Sequence, residues 1–256
     1  MPIAPKGSLL NSDALLPLSR LSDLHVEFWL ETPERCMYLP GDGQSGDKPN
    51  FNISNIEILC DYIRSASISQ YYQNNPLSFH VVDYSHRYNI LLSQQALCRF
   101  SSAHSSLNKI LTVMRPQAST VGTSVLGKLH DTYSGANMHS YNVHVNNQLF
   151  YEEAIDSLEQ SYSHFKKSFP ELCTSEWFDR EYNTTKHLLC VDLAAAPPSF
   201  RKELSSGKKT SALNSDIVMK VDFKSTPVSA IRADSFLMSD VLIYLDGPKG
   251  DLKIKY

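Results

Sequence analysis

The sequence predicts an all-β fold, an antiparallel sandwich or barrel with one inserted α-helix. Three observations carry that expectation. Short apolar segments alternate at period two along most of the 256 residues, the pattern of strands that bury one face. Clusters of Ser, Asn, Asp, Gly and Pro punctuate them at strand-and-turn spacing. Only one stretch, around 155–165, spaces its apolar residues as a helix does.

Near the N-terminus, "LHVEFWLE" (24–31) sets Leu24, Val26, Phe28 and Leu30 on one face. A turn-rich loop, "PGDGQSGDKPN" (40–50), follows. "ISNIEILCDYI" (53–63) reads as a second strand, with Ile56, Ile58, Cys60 and Tyr62 on one face and Ile53, Leu59 and Ile63 on the other. "SASISQYYQNNP" (65–76) reads as a linker with one helical turn. "LSFHVVDYSHRYNILL" (77–92) reads as two short strands around a polar turn. "SSLNKILTVMRP" (105–116) opens with capping residues but ends apolar and β-branched, which favours a strand. Residues 117–137 are poor in large apolar side chains and read as a long exposed loop.

The stretch "YNVHVNNQLFYEEAIDSLEQSYSHF" (141–165) changes period part-way. Tyr141, Val143 and Val145 alternate with Asn142 and His144, so His144 points away from the apolar face of a strand. Asn146-Asn147 supplies two residues that tolerate positive φ, as a tight hairpin requires. Leu149, Phe150 and Tyr151 return as a short strand, and Ile155, Leu158, Tyr162 and Phe165 then fall at helical spacing. The helix is expected near 152–168, with Glu152 and Glu153 in its first turn, Lys166 and Lys167 in its last and Pro170 beyond. Three strands complete the reading: "KHLLCVDLA" (186–194), buried on both faces; "SDIVMKVDFK" (215–224), with Ile217, Met219, Val221 and Phe223 inward; and "DSFLMSDVLIYLDG" (234–247), the last and most apolar.

Composition bounds the function. Hydrophobic residues make up 42% and charged residues 20%, enough for a buried core. The net charge of −3 leaves no domain-wide basic field for nucleic acid, and the local block "RKELSSGKK" (201–209) reads as a solvated loop. Cys36, Cys60, Cys98, Cys173 and Cys190 are odd in number, scattered and without a CxxC, which fits a reducing compartment better than a zinc site or disulfide framework. "MPIAPKGSLL" lacks the order of a secretory signal, and no apolar run is long enough to span a bilayer. The sequons at Asn52 and Asn183 accordingly read as chance matches.

A search for chemistry yields no site. His144, Glu152, Glu153 and His164 cluster in sequence, but without HExxH or any other fixed ligand spacing. His139 and His144, five apart, point to opposite faces of one strand, and Asp131 and Asp192 join them only through unseen tertiary folding. The Gly-rich turn "DGPKGD" (246–251) has no following helix to lend amides to a phosphate. No catalytic, cofactor or metal residue is therefore assigned.

Several segments together resemble the double jelly-roll major capsid proteins, in particular the polinton, adintovirus and virophage-like branch. "LPLSRLSDLHVEFWLE" (16–31) resembles a late strand of their first jelly roll, and "ISNIEILCDYIRSASISQYY" (53–72) its last strand with the linker to the second. "LNKILTVMR" (107–115) resembles an early strand of the second roll, which often ends on an arginine. "SYNVHVNNQLFYEEAIDSLEQSYSHF" (140–165) is similar to their strand, hairpin and helix, and "LLCVDLAAAPPSFRKELSSG" (188–207) to a strand followed by a loop ending in Ser-Gly. Two departures stand out: Asn-Asn replaces a frequent hairpin glycine, and Glu152-Glu153 replaces the proline before the helix.

The resemblance implies an antiparallel jelly-roll sandwich preceded by the last strands of a partial first roll. Residues 1–65 would be that remnant, 66–76 a linker and 77–256 the second jelly roll. It further implies a structural, non-enzymatic capsid subunit that self-associates into trimeric capsomers of an icosahedral shell, alongside other capsid proteins. Such a subunit would sit in the virion, assembled in the host cytoplasm or nucleus and not secreted, with its loops 117–137 and 195–214 varying the contacts. The missing first-roll strands would come from another chain, or the sequence is a fragment, a split gene product or a relic. The alternative is a single jelly-roll module binding a glycan or a protein. A cupin-like enzyme would need several His and a Glu converging inside the barrel, where this sequence places Val, Ile, Phe and Met.

Overall fold

A computed structural model describes residues 16, 25–30, 51–57, 63–101, 103–117, 137–169, 187–194, 207–210, 216–246 and 251–255. In chain order the elements are α1 (Ala66–Asn74), β1 (Leu77–Leu91), β2 (Gln95–Phe100), β3 (Leu107–Pro116), β4 (Met138–Val145), β5 (Gln148–Leu149), α2 (Leu158–Ser168), β6 (Leu188–Asp192), β7 (Ile217–Phe223), β8 (Ile231–Asp246) and β9 (Asp251–Lys255).

One sheet has the order β1-β8-β3-β6, with β9 also on β8, and the other β2-β7-β4-β5. All the named pairs are antiparallel. The pattern has a simple rule. The pairs β1–β8, β2–β7, β3–β6 and β4–β5 match strands counted inward from the two ends, and alternate pairs fall in alternate sheets. That is a long hairpin folded at β4–β5 and wound into a sandwich, the jelly roll. Residues 77–246 therefore contain the whole eight-strand pattern, with β9 added at the end.

The core lies between the sheets. Cys98 and Phe100 from β2, Ile110 and Met114 from β3, Tyr141 and Val143 from β4, and Met219, Val221 and Phe223 from β7 are all buried there. Burial pushes the Cys98 thiol up to about 12, so it behaves as a small apolar side chain. The alternation expected for 217–223 holds: Ile217, Met219, Val221 and Phe223 are inside and Lys220 is outside. The Asn-Asn turn also holds. Asn146 and Asn147 have φ of 54° and 62°, and His144 pairs with Leu149 across it.

Other expectations are corrected. Residues 77–91 form one continuous strand rather than two, because β8 pairs with it from Leu77↔Leu245 to Leu91↔Ile231. The polar run in its middle is a stretch of strand, not a turn. The 65–76 linker contains a helix of nine residues, capped by Ser65, whose side chain accepts from the Ile68 amide. The strand at 234–247 begins earlier, at Ile231, and is followed by β9. Strand β2 was not expected, although Ala96, Cys98 and Phe100 alternate inward. The described parts of the two N-terminal segments, 25–30 and 51–57, form no strand. A strand needs a partner to satisfy its amides, and these residues leave Trp29 and Ile56 largely exposed instead. Leu24, Glu31 and residues 58–62, and all of loops 117–137 and 195–214 but residues 117, 137 and 207–210, lie outside the described residues.

Residues 207–210 of the second loop are firmly held. The Leu107 and Lys208 backbones exchange two hydrogen bonds of 2.9 Å, and the Thr210 amide donates to the His104 carbonyl. Glycine is required at 207: a Cβ there would sit 2.6 Å from the Leu107 carbonyl oxygen. A separate apolar cluster forms at the start of β1 and the end of β8, where Leu77, Phe79 and Leu245 are covered by Tyr72 of α1 and by Leu16.

Candidate assembly interface

The site with the most concentrated chemistry is the outward face of β1 and β8. Their register sends odd-numbered residues of both strands to the core, as buried Leu91, Ala233 and Leu237 show, and even-numbered ones outward. Tyr84, His86, Tyr88, Arg232, Asp234 and Phe236 thus share one face, with Arg115 of β3 beside Arg232.

Asp234 organises this face. Its side chain is 2% exposed, yet it lies on the outward side, covered by two arginines and a histidine. Arg115 Nη2 donates to Oδ2 at 2.8 Å and Arg232 Nε to Oδ1 at 2.9 Å, while His86 Nε2 lies 2.9 Å from Oδ1. Burial pushes the Asp234 carboxyl up, but the bonds from Arg115, His86 and Arg232 outweigh it and hold the group below its ordinary value. Two of these partners are themselves packed from outside: the Arg232 guanidinium lies 4.5 Å from the Tyr88 ring centre, and the His86 ring lies 5.1 Å from that of Phe236.

A second carboxylate repeats the device further along. Asp240 lies 3.2 Å from His80 Nε2 and accepts from the Ser106 hydroxyl at 2.9 Å. The bond to Asp240 raises the His80 pKa, and burial opposes it only in part. Burial pushes the Asp240 carboxyl up, and the bonds from His80, Ser106 and Asn108 bring it below its ordinary value. Ser106 also accepts from the Gly207 amide at 3.1 Å, which ties that part of the 195–214 loop to this face.

On the other half of the same sheet, α2 supplies the cover. Phe165 and Cys190 are buried there with Leu111, Leu158, Tyr162 and Leu188 around them. The helix starts at Leu158, not 152. Ser157 is its N-cap, accepting from the Gln160 amide, Glu159 is its first-turn acid, and Lys166 and Lys167 occupy its last turn as expected. Ile155 cannot be helical because its backbone exchanges two 2.9 Å hydrogen bonds with Tyr141. Glu152 and Glu153 consequently lie in an exposed bend ahead of the helix and contribute nothing to a first helical turn.

The remaining candidates stay apart. His144 is on the outward side of β4, as expected. His139 sits exposed at a bulge between Met138 and Ser140, which breaks the alternation on which opposite faces were expected. His164, expected on the helix surface, is half-buried with its ring 4.7 Å from that of Tyr151, and burial lowers its pKa. Asp192 Oδ1 accepts from the Ala194 amide, and Asp131 lies outside the described residues. Among the described residues, no three His, Cys, Asp or Glu side chains converge as a metal site would need, and no helix is long and apolar enough to cross a membrane. Sequence reasoning missed Asp234 and also His187, which is buried beside Ser161 and pushed down to about 4 by burial.

The strand pairing defines the class of protein: a complete jelly roll with a helix inserted between β5 and β6. No protein-family model matches the sequence, and no curated protein does. The solved structures it resembles are viral capsid proteins. One is the capsid of the virus PBCV-1, at 8% identity and a TM-score of 0.47, covering 73% of this chain and 54% of that one. Another is the Faustovirus major capsid protein, at 9% and 0.49, covering 70% and 36%. A third is the mavirus major capsid protein, at 10% and 0.38, covering 76% and 44%. The chain thus spans about half the length of the PBCV-1 protein, and less of the other two. At such scores the likeness transfers no residue role; the jelly roll rests on the strand pairing itself.

Proposed function

We propose that this chain is a structural subunit of a viral capsid, acting by self-assembly and not by turnover. The observation that carries this reading is the β1/β8 face. A sheet face meant only for water has no need to bury a carboxylate under two arginines and a histidine, then pack Arg232 and His86 on aromatic rings. Tyr, Phe and Arg in a fixed, partly desolvated arrangement are what protein interfaces concentrate. The sequence resemblance to double jelly-roll capsid proteins supports the same reading and adds its finer parts: trimeric capsomers, an icosahedral shell, and a place in the virion.

We further propose the division into a first-roll remnant (1–65), a linker (66–76) and the second roll (77–256). A second chain supplying the remaining first-roll strands would cover Trp29, Leu30 and Ile56, which this chain leaves exposed. The test is electron microscopy of the purified protein, alone and co-expressed with neighbouring capsid components. Three-fold particles are expected. Monodisperse single sandwiches under every condition would overturn the reading.

A further inference from the structure

Strand β1 ends its sheet, and among the described residues no strand pairs with its outer edge along all 15 residues. The pairing shows which backbone groups point there. The Gln117 amide donates to the Ala230 carbonyl, one step beyond Pro116↔Ile231, so alternate pairs such as Arg115–Arg232 and Val113–Asp234 exchange bonds. Even-numbered residues of β8 therefore bond to β3 and odd-numbered ones to β1. In the unbroken β1–β8 register, odd residues of β8 face odd residues of β1. Ser78, His80, Val82, His86, Tyr88 and Ile90 are left with N–H and C=O directed away from the sheet. The His86 carbonyl agrees with this direction, since it accepts from Arg87 Nη1 at 3.1 Å. Among the described residues no other bond reaches the backbone of these six from outside the sheet. Strand β1 also lacks proline, glycine, lysine and any bulge, the devices that blunt an edge.

Segment 24–31, "LHVEFWLE", is the counterpart of this edge. It alternates as a strand does, with Leu24, Val26, Phe28 and Leu30 on one face. Its described residues, 25–30, belong to no strand or helix and make no described hydrogen bond. Phe28, Trp29 and Leu30 are exposed. None of the six has a positive φ, so extended pairing meets no steric bar there. The other N-terminal segment, 51–57, is interrupted by Asn55 at a φ of 57°. Within one copy, Leu16 already packs against Leu77 and Phe79 at the start of β1, yet 25–30 stands unpaired.

We propose that segment 24–31 of one copy of this chain adds as a strand to the open β1 edge of a second copy. The inference rests on the assembly reading and names the contact that performs it. Main-chain bonds to the six edge residues supply the affinity, and alternate side chains supply the specificity. Set on the outward face, Phe28 and Leu30 lie beside Tyr88 and Ile90, both exposed on β1. Donor and acceptor are different parts of the chain, so the contact is heterologous. Such a contact closes into a ring when the rotation between neighbours allows it.

The test alters only the donor, in the full chain, at two exposed residues that make no described hydrogen bond. The variant carries Glu27→Pro and Phe28→Pro, which removes amides facing either way in an added strand. Sedimentation velocity should show self-association weakened on the order of 100-fold, the loss of two or three hydrogen bonds. Hydrogen–deuterium exchange on peptides spanning 77–91 should show the even-numbered amides about 10-fold slower in the associated wild type than in the variant. A variant that associates like the wild type overturns the contact while the assembly reading stands. Association lost with β1 exchange unchanged also overturns it, because the segment then binds elsewhere. A monomeric wild type whose edge amides are protected until the prolines enter sets the segment on its own copy's edge, and overturns the contact between copies. A monomeric wild type with fast-exchanging edge amides removes the contact and the assembly reading together.

Discussion

The two outward faces of the sandwich are built on different principles. The β2-β7-β4-β5 sheet shows water the side chains of Gln95, Arg99 and Lys220. Its one described ion pair, Arg99–Asp216, is 3.9 Å long between groups 68% and 42% exposed, a geometry that contributes little. The β1-β8 half of the other sheet instead buries Asp234 beneath Arg115, Arg232 and His86, with Arg232 and His86 packed on aromatic rings. A solvated face keeps its charges independent. A face that locks them holds its arginines and rings in one arrangement.

The sharpest way to break this comparison is to remove the buried carboxylate. Asp234→Ala removes the carboxylate that pairs Arg115 and Arg232 and bonds His86, and should cost about 3 kcal/mol in urea unfolding, whereas Lys220→Ala on the opposite face should stay within about 0.5 kcal/mol of wild type. Equal effects would erase the distinction. Acid should also destabilise the protein through His187. Its folded pKa is lowered from 6.5 to about 4. The unfolded chain therefore takes up a proton first, and stability falls as pH drops from 6.5 towards 4, then levels off for this group. His187→Phe should flatten that part of a thermal-melt pH series.

The His80–Asp240 pair gives a smaller effect of two signs. His80 has a raised folded pKa, so its contribution is complete below 6.5 and is lost as pH rises through the raised value. Asp240 has a lowered one, so its contribution is complete above 3.8 and is lost as pH falls through the lowered value. The pair thus stabilises most between 3.8 and 6.5, and His80→Gln should remove the decline on the alkaline side in the same melts. Removing the helix cap is more local: Ser157→Ala should cost about 1 kcal/mol, read in urea unfolding. Arg99→Ala, at the exposed ion pair, should change stability by less than about 0.5 kcal/mol.

What the sequence made legible follows from the range of each interaction. The alternation at 217–223 and the Asn146-Asn147 turn are local, and both appear in the structure where they were expected. Strand β1 was divided in the reading because "DYSHRYN" looks like a turn; only its pairing with β8, far along the chain, keeps those residues extended. The start of α2 was misplaced because Ile155 fits the helical period, while its backbone is taken by Tyr141 across the sheet edge. The Asp234 cluster was invisible for the same reason. Its partners His86 and Arg115 lie 148 and 119 residues away in sequence, so no local spacing could disclose them.

The account stands on self-association, and the mass of the purified full chain in solution tests it most directly. Native mass spectrometry across a concentration series should show the 28.8 kDa chain giving way to a species of three times that mass. A single 28.8 kDa species at every concentration, with the β1/β8 face open to water, would contradict it and favour a self-contained jelly-roll binding module.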